Sequence, residues 1–483
     1  MPTLRSRHRG ALLGLAVGDA VGTTVEFSAR GSFPPVTDMV GGGPFGLQPG
    51  MWTDDTSMAL CLGRSLLDCA GSDAGDQIRR YVRWRDDGYL SSTGGCFDIG
   101  NTVSAALARF EQTGEPLAGS EDPRSAGNGS LMRLAPVALY YGAEPDEAVR
   151  QAAASSRTTH GTAEAVDACR LYAAVLVRAL AGRDEVEVLA PVTGWASPLA
   201  PSIEALASGA WRGKPESEIR GSGYVVHSLE AALWCFAGTK SFREAILRAV
   251  NLGEDTDTTA AITGQLAGAF YGEEAIPAEW RAKLTRGDEI ARLADGLGRA
   301  RSAPPPPLAR TYWASPGAVL AGAYPGDLDE ARGVAHVRAL LEAGVRRFLN
   351  LMEAREVDRQ GRVFEPYEHV VLREAERLGV EAECRRFPVV DMSVPSAGTM
   401  NEIQAWIDES VDAEIPVYVH CWGGRGRTGT AIGVHLVRHG QAEPDDFVDV
   451  IARRRAADAS RGQSPESAQQ VAFVRSFLAS DNR

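Results

Sequence analysis

The sequence predicts two domains of different class, a helical one followed by an α/β domain with a central, mostly parallel sheet. Three observations predict it. A chain of 483 residues exceeds what one hydrophobic core encloses, so two or three domains are expected. The run Ala303-Pro304-Pro305-Pro306-Pro307 cannot continue a helix and makes a stiff, extended connector. Patterning also changes across that seam. Before it the chain is rich in Ala, Gly and Leu with long helical periods, and beyond it short Val-rich runs alternate with helical ones. The boundaries read as 1–300, a proline-rich linker over 301–310, and 311–483.

Composition excludes several function classes. A formal net charge of −13 with 44% hydrophobic residues is the profile of an acidic globular protein. It offers no surface for nucleic acid or an anionic membrane. Arg453-Arg454-Arg455 is a short basic run that reads as a solvated helix face, with substrate steering as the alternative. The chain starts with Arg5-Ser6-Arg7-His8-Arg9 and the apolar run Ala11 to Val17. Asp19 interrupts that run and no small-residue cleavage site follows cleanly, so a signal peptide is not expected. No other stretch is long and apolar enough to span a bilayer. Seven cysteines without paired spacing fit a reducing compartment, and a cytoplasmic protein is expected.

In the second domain, His420-Cys421-Trp422-Gly423-Gly424-Arg425-Gly426-Arg427-Thr428-Gly429 carries phosphate chemistry. Val417-Tyr418-Val419 reads as a buried strand entering this loop and Thr430 to Val434 as the helix leaving it. A glycine-rich strand-to-helix loop, here with Gly423, Gly424 and Gly426, turns backbone N–H groups inward at a helix N-terminus that favours anions. The same field favours the thiolate of Cys421, the form that attacks phosphorus. Arg427 can hold two phosphoryl oxygens with its planar fork. The order His-Cys-five residues-Arg-Thr-Gly resembles the signature of the protein tyrosine and dual-specificity phosphatases, and the resemblance runs from about Thr311 to the C-terminus. It implies that Asp391, 30 residues before Cys421 and at the end of a short apolar strand expected over Phe387 to Val390, is the general acid. It also implies that Thr428 hydrogen-bonds the Cys421 thiolate, that Pro465, Gln470 and Phe473 pack the last helix, and that no cofactor is needed.

The first domain carries three carboxylate clusters. They are Gly18-Asp19-Ala20-Val21-Gly22 leading to Glu26-Phe27, then Trp52-Thr53-Asp54-Asp55-Thr56, and Glu254-Asp255-Thr256-Asp257-Thr258-Thr259. Paired carboxylates flanked by threonine hydroxyls form an oxygen-only donor set, which suits Mg²⁺ or Mn²⁺ better than zinc. So much negative charge is costly unless cations neutralise it, and two such clusters suggest a two-metal site. Asp and Thr at helix starts also serve as plain N-caps.

Together with Gly10 to Ala20, Gly127-Asn128-Gly129-Ser130-Leu131-Met132-Arg133 and Thr159-His160, these clusters resemble the ADP-ribosylglycohydrolase family over roughly residues 8 to 295. The resemblance implies an all-α fold and two divalent cations held by Thr53, Asp54, Asp55, Asp255, Asp257 and Thr258. It places Glu26 near the scissile bond, as proton acceptor or donor, and Gly127, Asn128, Gly129 and Ser130 in a loop receiving the diphosphate. By the same resemblance Asp98, within Cys96 to Thr102, would lie close to the metals. His160 matches a residue near the ribose or diphosphate, although a lone His is equally a structural hydrogen-bonder. The implied chemistry is hydrolysis at the anomeric carbon of the distal ribose, with the ions binding ribose hydroxyls and a water.

The reading is therefore a bifunctional hydrolase acting on an ADP-ribosylated protein or small molecule and on a phosphorylated one. The alternative is one live enzyme fused to a degenerate ADP-ribose- or phosphate-binding module. A structural role is a third class, since the first-domain family includes a lens-crystallin relative. Intact metal positions, Cys421, Arg427 and Asp391 favour two live sites.

Overall fold

The computed structural model describes residues 2–194, 197–358, 360–456, 458 and 462–481. The chain divides into two compact units, Met1–Arg301 and Ser302–Arg483. The division falls inside the proline-rich stretch 301–310.

The first unit is helical. Three of its helices carry the site: α1 (Leu4–Gly22), α2 (Asp54–Asp68) and α3 (Thr256–Tyr271). Helices α1 and α3 are buried along almost their whole length and cross at backbone contact. A Cβ added to Gly10, Gly14 or Gly18 would lie 2.2, 2.3 or 2.2 Å from the carbonyl oxygen of Gly268, Gly264 or Ala260. Interior glycines each cost a helix roughly 1 kcal/mol against alanine, so this stripe at every fourth residue fits only a helix pair that needs the space. The stripe ends at Gly22, where a Cβ would stand 2.4 Å from the Asp257 Cα. Close packing thus delivers the end of α1 to the start of α3. Gly18→Ala should lower the stability of this unit by about 3 kcal/mol in denaturant unfolding, because neither backbone can yield. A loss below about 0.5 kcal/mol, the range of neutral surface changes, would contradict the close crossing.

The second unit is a three-layer α/β domain. Its strands are β1 (Thr311–Ser315), β2 (Val319–Ala323), β3 (Arg347–Asn350), β4 (Glu383–Arg386) and β5 (Val417–Cys421). The order is β1-β2-β5-β3-β4, with only the β1–β2 pair antiparallel. Helices α4 (Glu330–Glu342) and α5 (Glu368–Leu378) cover one face, over Leu320, Phe348 and Tyr418. Helices α6 (Ala397–Asp412), α7 (Gly426–Arg438), α8 (Phe447–Arg454) and α9 (Ala468–Asp481) cover the other, over Val319, Leu349, Val417 and Val419. β5 is central and buried at every position, as its unbroken apolar run requires of a parallel strand covered on both faces.

Three local expectations are corrected. Helix α7 starts at Gly426, four residues before the sequence suggested, so Arg427 and Thr428 belong to its first turn. The run Phe387 to Val390 lies after β4, not in a strand, although Phe387 and Val389 still donate to Asn350 and Leu351 at 2.9 and 3.1 Å. The arginine run is a solvated face only at Arg453, which is exposed. Arg455 is buried against the Tyr312 ring and pairs with Asp458, while Arg454 donates to Gln441 and to the Ala314 carbonyl.

Candidate active sites

In the first unit, the N-termini of α2 and α3 meet. Asp54 and Asp55 open α2, while Asp255 caps α3 and Asp257 lies in its first turn. Both sets of carboxylates therefore sit where helix dipoles favour negative charge. Two cross-links join the segments: Thr53 Oγ1 donates to Asp257 at 3.2 Å, and Thr258 Oγ1 donates to Asp55 at 3.2 Å. One oxygen each of Glu26, Asp98 and Asp257 lie within 4.8 Å of one another. Glu26 is held there by an exchange of backbone bonds, Phe27 N–H to Glu254 O and Glu254 N–H to Ser28 O, both 2.8 Å. Phe27, Asp98 and Glu254 all have φ near +60°, strained for residues with side chains and concentrated around this cluster.

The electrostatics follow from burial. Burial, and then the neighbouring Asp98, pushes Glu26 up to about 9. Asp98 is pushed up to about 7 by burial and then Asp19. Asp54, Asp55 and Asp257 are likewise pushed well above the usual carboxylate range, first by burial and then by one another's charge and that of nearby acids. Asp55 Oδ1 and Asp257 Oδ1 are buried without a hydrogen-bond partner. Orphaned carboxylate oxygens beside threonine hydroxyls, with no His or Cys in the set, fit hard divalent cations.

The residue that organises this cluster is Asp19, which the sequence groups with the carboxylate clusters without a role of its own. Fully buried, it accepts from Thr53 N–H (2.9 Å), Thr53 Oγ1 (3.0 Å), Thr56 N–H (3.1 Å) and Thr56 Oγ1 (2.6 Å). These four bonds bind α1 to the start of α2 and aim Asp54 and Asp55. Its place as the one carboxylate closing the apolar run of α1 was the available signal.

The 127–130 loop lies beside the cluster. Asn128 Nδ2 donates to Asp255 Oδ2 at 2.8 Å and to Ser228 Oγ at 2.9 Å. The Ser130 side chain turns inward, with Oγ 2.9 Å from Ser156 Oγ. His160 lies buried under the loop, held near 3 by burial and hence neutral, its ring against Gly127 and Gly129. A Cβ on Gly129 would meet its Cε1 at 2.9 Å, so this ring dictates that glycine. Arg133, fully buried, braces the loop through Gly129 O at 3.0 Å and Thr159 Oγ1 at 2.8 Å.

In the second unit, Cys421 ends β5 and α7 begins five residues later. Gly424 has φ +73°, and a Cβ there would be 2.6 Å from Gly322 C, so the turn needs glycine on both counts. Gly423 faces open space, whereas a Cβ on Gly426 would press on Gln470 at 3.0 Å. Gln470 in turn donates to Ser393 O at 3.1 Å, joining the last helix to the segment that carries Asp391. His420 is buried and held near 3 by burial, with Nε2 2.5 Å from the Tyr367 hydroxyl. Thr428 Oγ1 is buried without a hydrogen-bond partner.

Arg427 is buried and its fork is engaged. Its Nη1 donates to Val389 O at 2.9 Å, and Nη2 lies 3.0 Å from Asp391 Oδ1. Both terminal nitrogens also reach Glu356, Nη2 at 3.0 Å. Asp391 is half-exposed, at the mouth of the site. The sequence reading missed Glu356, which lies 71 residues before Arg427 in an irregular segment. No local pattern marks it.

The ADP-ribosylglycohydrolase family model matches residues 1–307. The chain belongs to that family. A second model, the DSP-PTPase phosphatase domain of Swiss Army Knife proteins, matches residues 309–474. The ADP-ribosylarginine hydrolase Tri1 of Pseudomonas putida (strain GB-1) is 45% identical over 291 residues, 60% of this chain and 77% of that one. The ADP-ribosyl-[dinitrogen reductase] glycohydrolase of Rhodospirillum rubrum is 32% identical over 302 residues, 61% of this chain and 97% of that one. A solved ADP-ribosylglycohydrolase-related protein complex shares 44% identity with a TM-score of 0.55, over 62% of this chain and 98% of that one. An ADP-ribosylglycohydrolase domain thus precedes a phosphatase domain in one chain. Among the described residues no helix is long and apolar enough to cross a membrane, and none of the seven cysteines is in a disulfide.

Proposed function

We propose that this protein is a bifunctional hydrolase with two live sites, one releasing ADP-ribose with the help of divalent cations and one cleaving phosphate esters through Cys421. The observation that carries the first activity is the meeting of two carboxylate-bearing helix N-termini, cross-linked by Thr53–Asp257 and Thr258–Asp55. Thr53, Asp54, Asp55, Asp255, Asp257 and Thr258 would hold two ions, Mg²⁺ or Mn²⁺. Such ions, when bound, supply Lewis acidity and fix ribose hydroxyls and a water. Asp19 and Asn128 hold the ligand-bearing segments in register. Glu26 moves the proton, accepting it from the attacking water or giving it to the leaving nitrogen at its carboxyl oxygen. The 45% identity to an ADP-ribosylarginine hydrolase supports arginine as the acceptor that is freed.

In the phosphatase unit, Cys421 Sγ attacks phosphorus and the ester oxygen departs with a proton from Asp391, leaving a cysteinyl phosphate. Water then attacks this intermediate, giving up a proton to Asp391 and releasing phosphate and the thiolate. Arg427 grips two phosphoryl oxygens, held ready by Glu356, and Thr428 stabilises the departing thiolate. This chemistry needs Cys421 reduced, which supports residence in the cytoplasm.

Asp391→Asn tests the acid. Alkyl phosphates, whose departing oxygen is basic, should slow by about 100-fold, whereas aryl phosphates with good leaving groups should change little. Equal slowing of both classes would remove Asp391 from the role. We also propose that residues 1–300 and 310–483 fold separately when expressed apart, each with its own core and complete motif set. Insoluble halves beside a soluble whole would contradict that.

A further inference from the structure

Away from the Cys421 loop, the phosphatase unit holds a second cluster of metal-ligating side chains. His435 lies in the last turn of α7 and His439 caps that helix. At i and i+4 their rings share one face, with centroids 4.5 Å apart. Asp408 approaches from α6, its Oδ1 2.6 Å from His439 Nε2. One donor atom from each of the three residues falls within a 4.8 Å set.

The cluster is built into the fold. His435 is 2% exposed and His439 9% exposed. His439 Nδ1 is buried with no hydrogen-bond partner, so Asp408 satisfies only one side of that ring. A purely structural histidine between two helices would be expected to use both nitrogens. Asp408 keeps a quarter of its side chain exposed, which leaves a path from solvent. The Arg438 guanidinium, 4.0 Å from Asp408 Oδ2 and itself partly exposed, can turn outward when a cation takes the carboxylate.

We propose that Asp408, His435 and His439 form a transition-metal site of the zinc class, distinct from the oxygen-only site of the first unit. Two imidazole nitrogens and one carboxylate suit Zn²⁺ and poorly suit Mg²⁺. Tetrahedral bonds of about 2.0–2.2 Å put ligand atoms roughly 3.3 Å apart, and the three donor atoms already lie within 4.8 Å of one another. Water supplies the fourth position through the exposed edge of Asp408. The ion clamps α6 to the end of α7. Helix α7 carries Arg427 and Thr428 at its other end, and α6 follows the Asp391 segment, so the clamp fixes the two helices that frame the phosphatase site.

The test uses the full-length chain with Cys421→Ser, which removes the catalytic thiolate as a competing ligand, and Co²⁺ as the spectroscopic probe. One Co²⁺ per chain should give the intense visible absorption of a tetrahedral ion, and Zn²⁺ should displace it. The band should persist with Asp255→Ala and Asp257→Ala added, since those positions belong to the other site. It should vanish in His435→Gln and in His439→Gln. Asp408→Asn keeps a hydrogen-bond partner for His439 and hence the helix contact, so Co²⁺ binding at least tenfold weaker in that variant, with an unchanged circular dichroism spectrum, reads the ligand set rather than folding. No intense band in the parent, or a band kept at full strength in His439→Gln and Asp408→Asn, overturns the site.

Discussion

Replacing Asp255 and Asp257 together by alanine should reduce ADP-ribose release at least 1,000-fold, and EDTA should do the same to the unmodified chain until Mg²⁺ or Mn²⁺ is restored. Asp257 accepts from Thr53, and Asp255 accepts from Asn128, so the pair ties α3 both to the start of α2 and to the 127–130 loop. Losing two donors from a two-ion site removes several kcal/mol of stabilisation, and each 1.36 kcal/mol is tenfold in rate. The same change removes the buried Asp257 carboxyl and its half-buried neighbour Asp255 from a crowded acidic set. In EDTA the double variant should therefore melt no lower than the parent. That outcome separates loss of a site from loss of a fold. Undiminished release by the double variant would remove these residues from the metal set.

Cys421→Ser should abolish phosphate-ester hydrolysis while leaving phosphate-ligand binding intact. A serine hydroxyl is far less acidic than a thiol, so the nucleophile is lost, while the Gly424 turn, the α7 N-terminus and Arg427 remain as the cradle. Arg427→Lys should lose most of the activity, about 100-fold or more, although the charge is kept. An ammonium cannot span Glu356, Val389 O and two phosphoryl oxygens as the planar fork does. Turnover by Cys421→Ser above a few per cent, or full activity of Arg427→Lys, would contradict the mechanism. This activity should survive EDTA, because no chemical step draws on an ion.

Much of both sites could be read from the chain because the chemistry is written in short segments. The phosphate loop is contiguous from His420 to Gly429, and each carboxylate cluster occupies a few residues at a helix start. What could not be read is long-range support. The four bonds into Asp19 join segments more than thirty residues apart, and Asn128 meets Asp255 at a separation of 127. Glu356 reaches Arg427 from an irregular segment whose sequence has no period. Local propensity also misplaced the start of α7, because glycines at 426 and 429 argue against helix. There the packing of Gln470 on Gly426 and of Ser464 and Pro465 on Gly429 requires glycine and overrides propensity. The glycine stripe of α1 was visible as a pattern, yet its meaning depends on the facing Gly264 and Gly268, some 250 residues later.

The central claim is that one chain holds two independent catalytic sites. It is tested most directly by assaying three preparations of the full-length protein, the parent, Cys421→Ser, and the Asp255→Ala, Asp257→Ala variant, each for ADP-ribose release from an ADP-ribosyl-arginine peptide and for phosphate release from an aryl phosphate. The account predicts both activities in the parent and a reciprocal loss in the variants, each keeping at least half of the activity whose site is intact. A parent that performs one reaction only, or a variant that loses both, would contradict it.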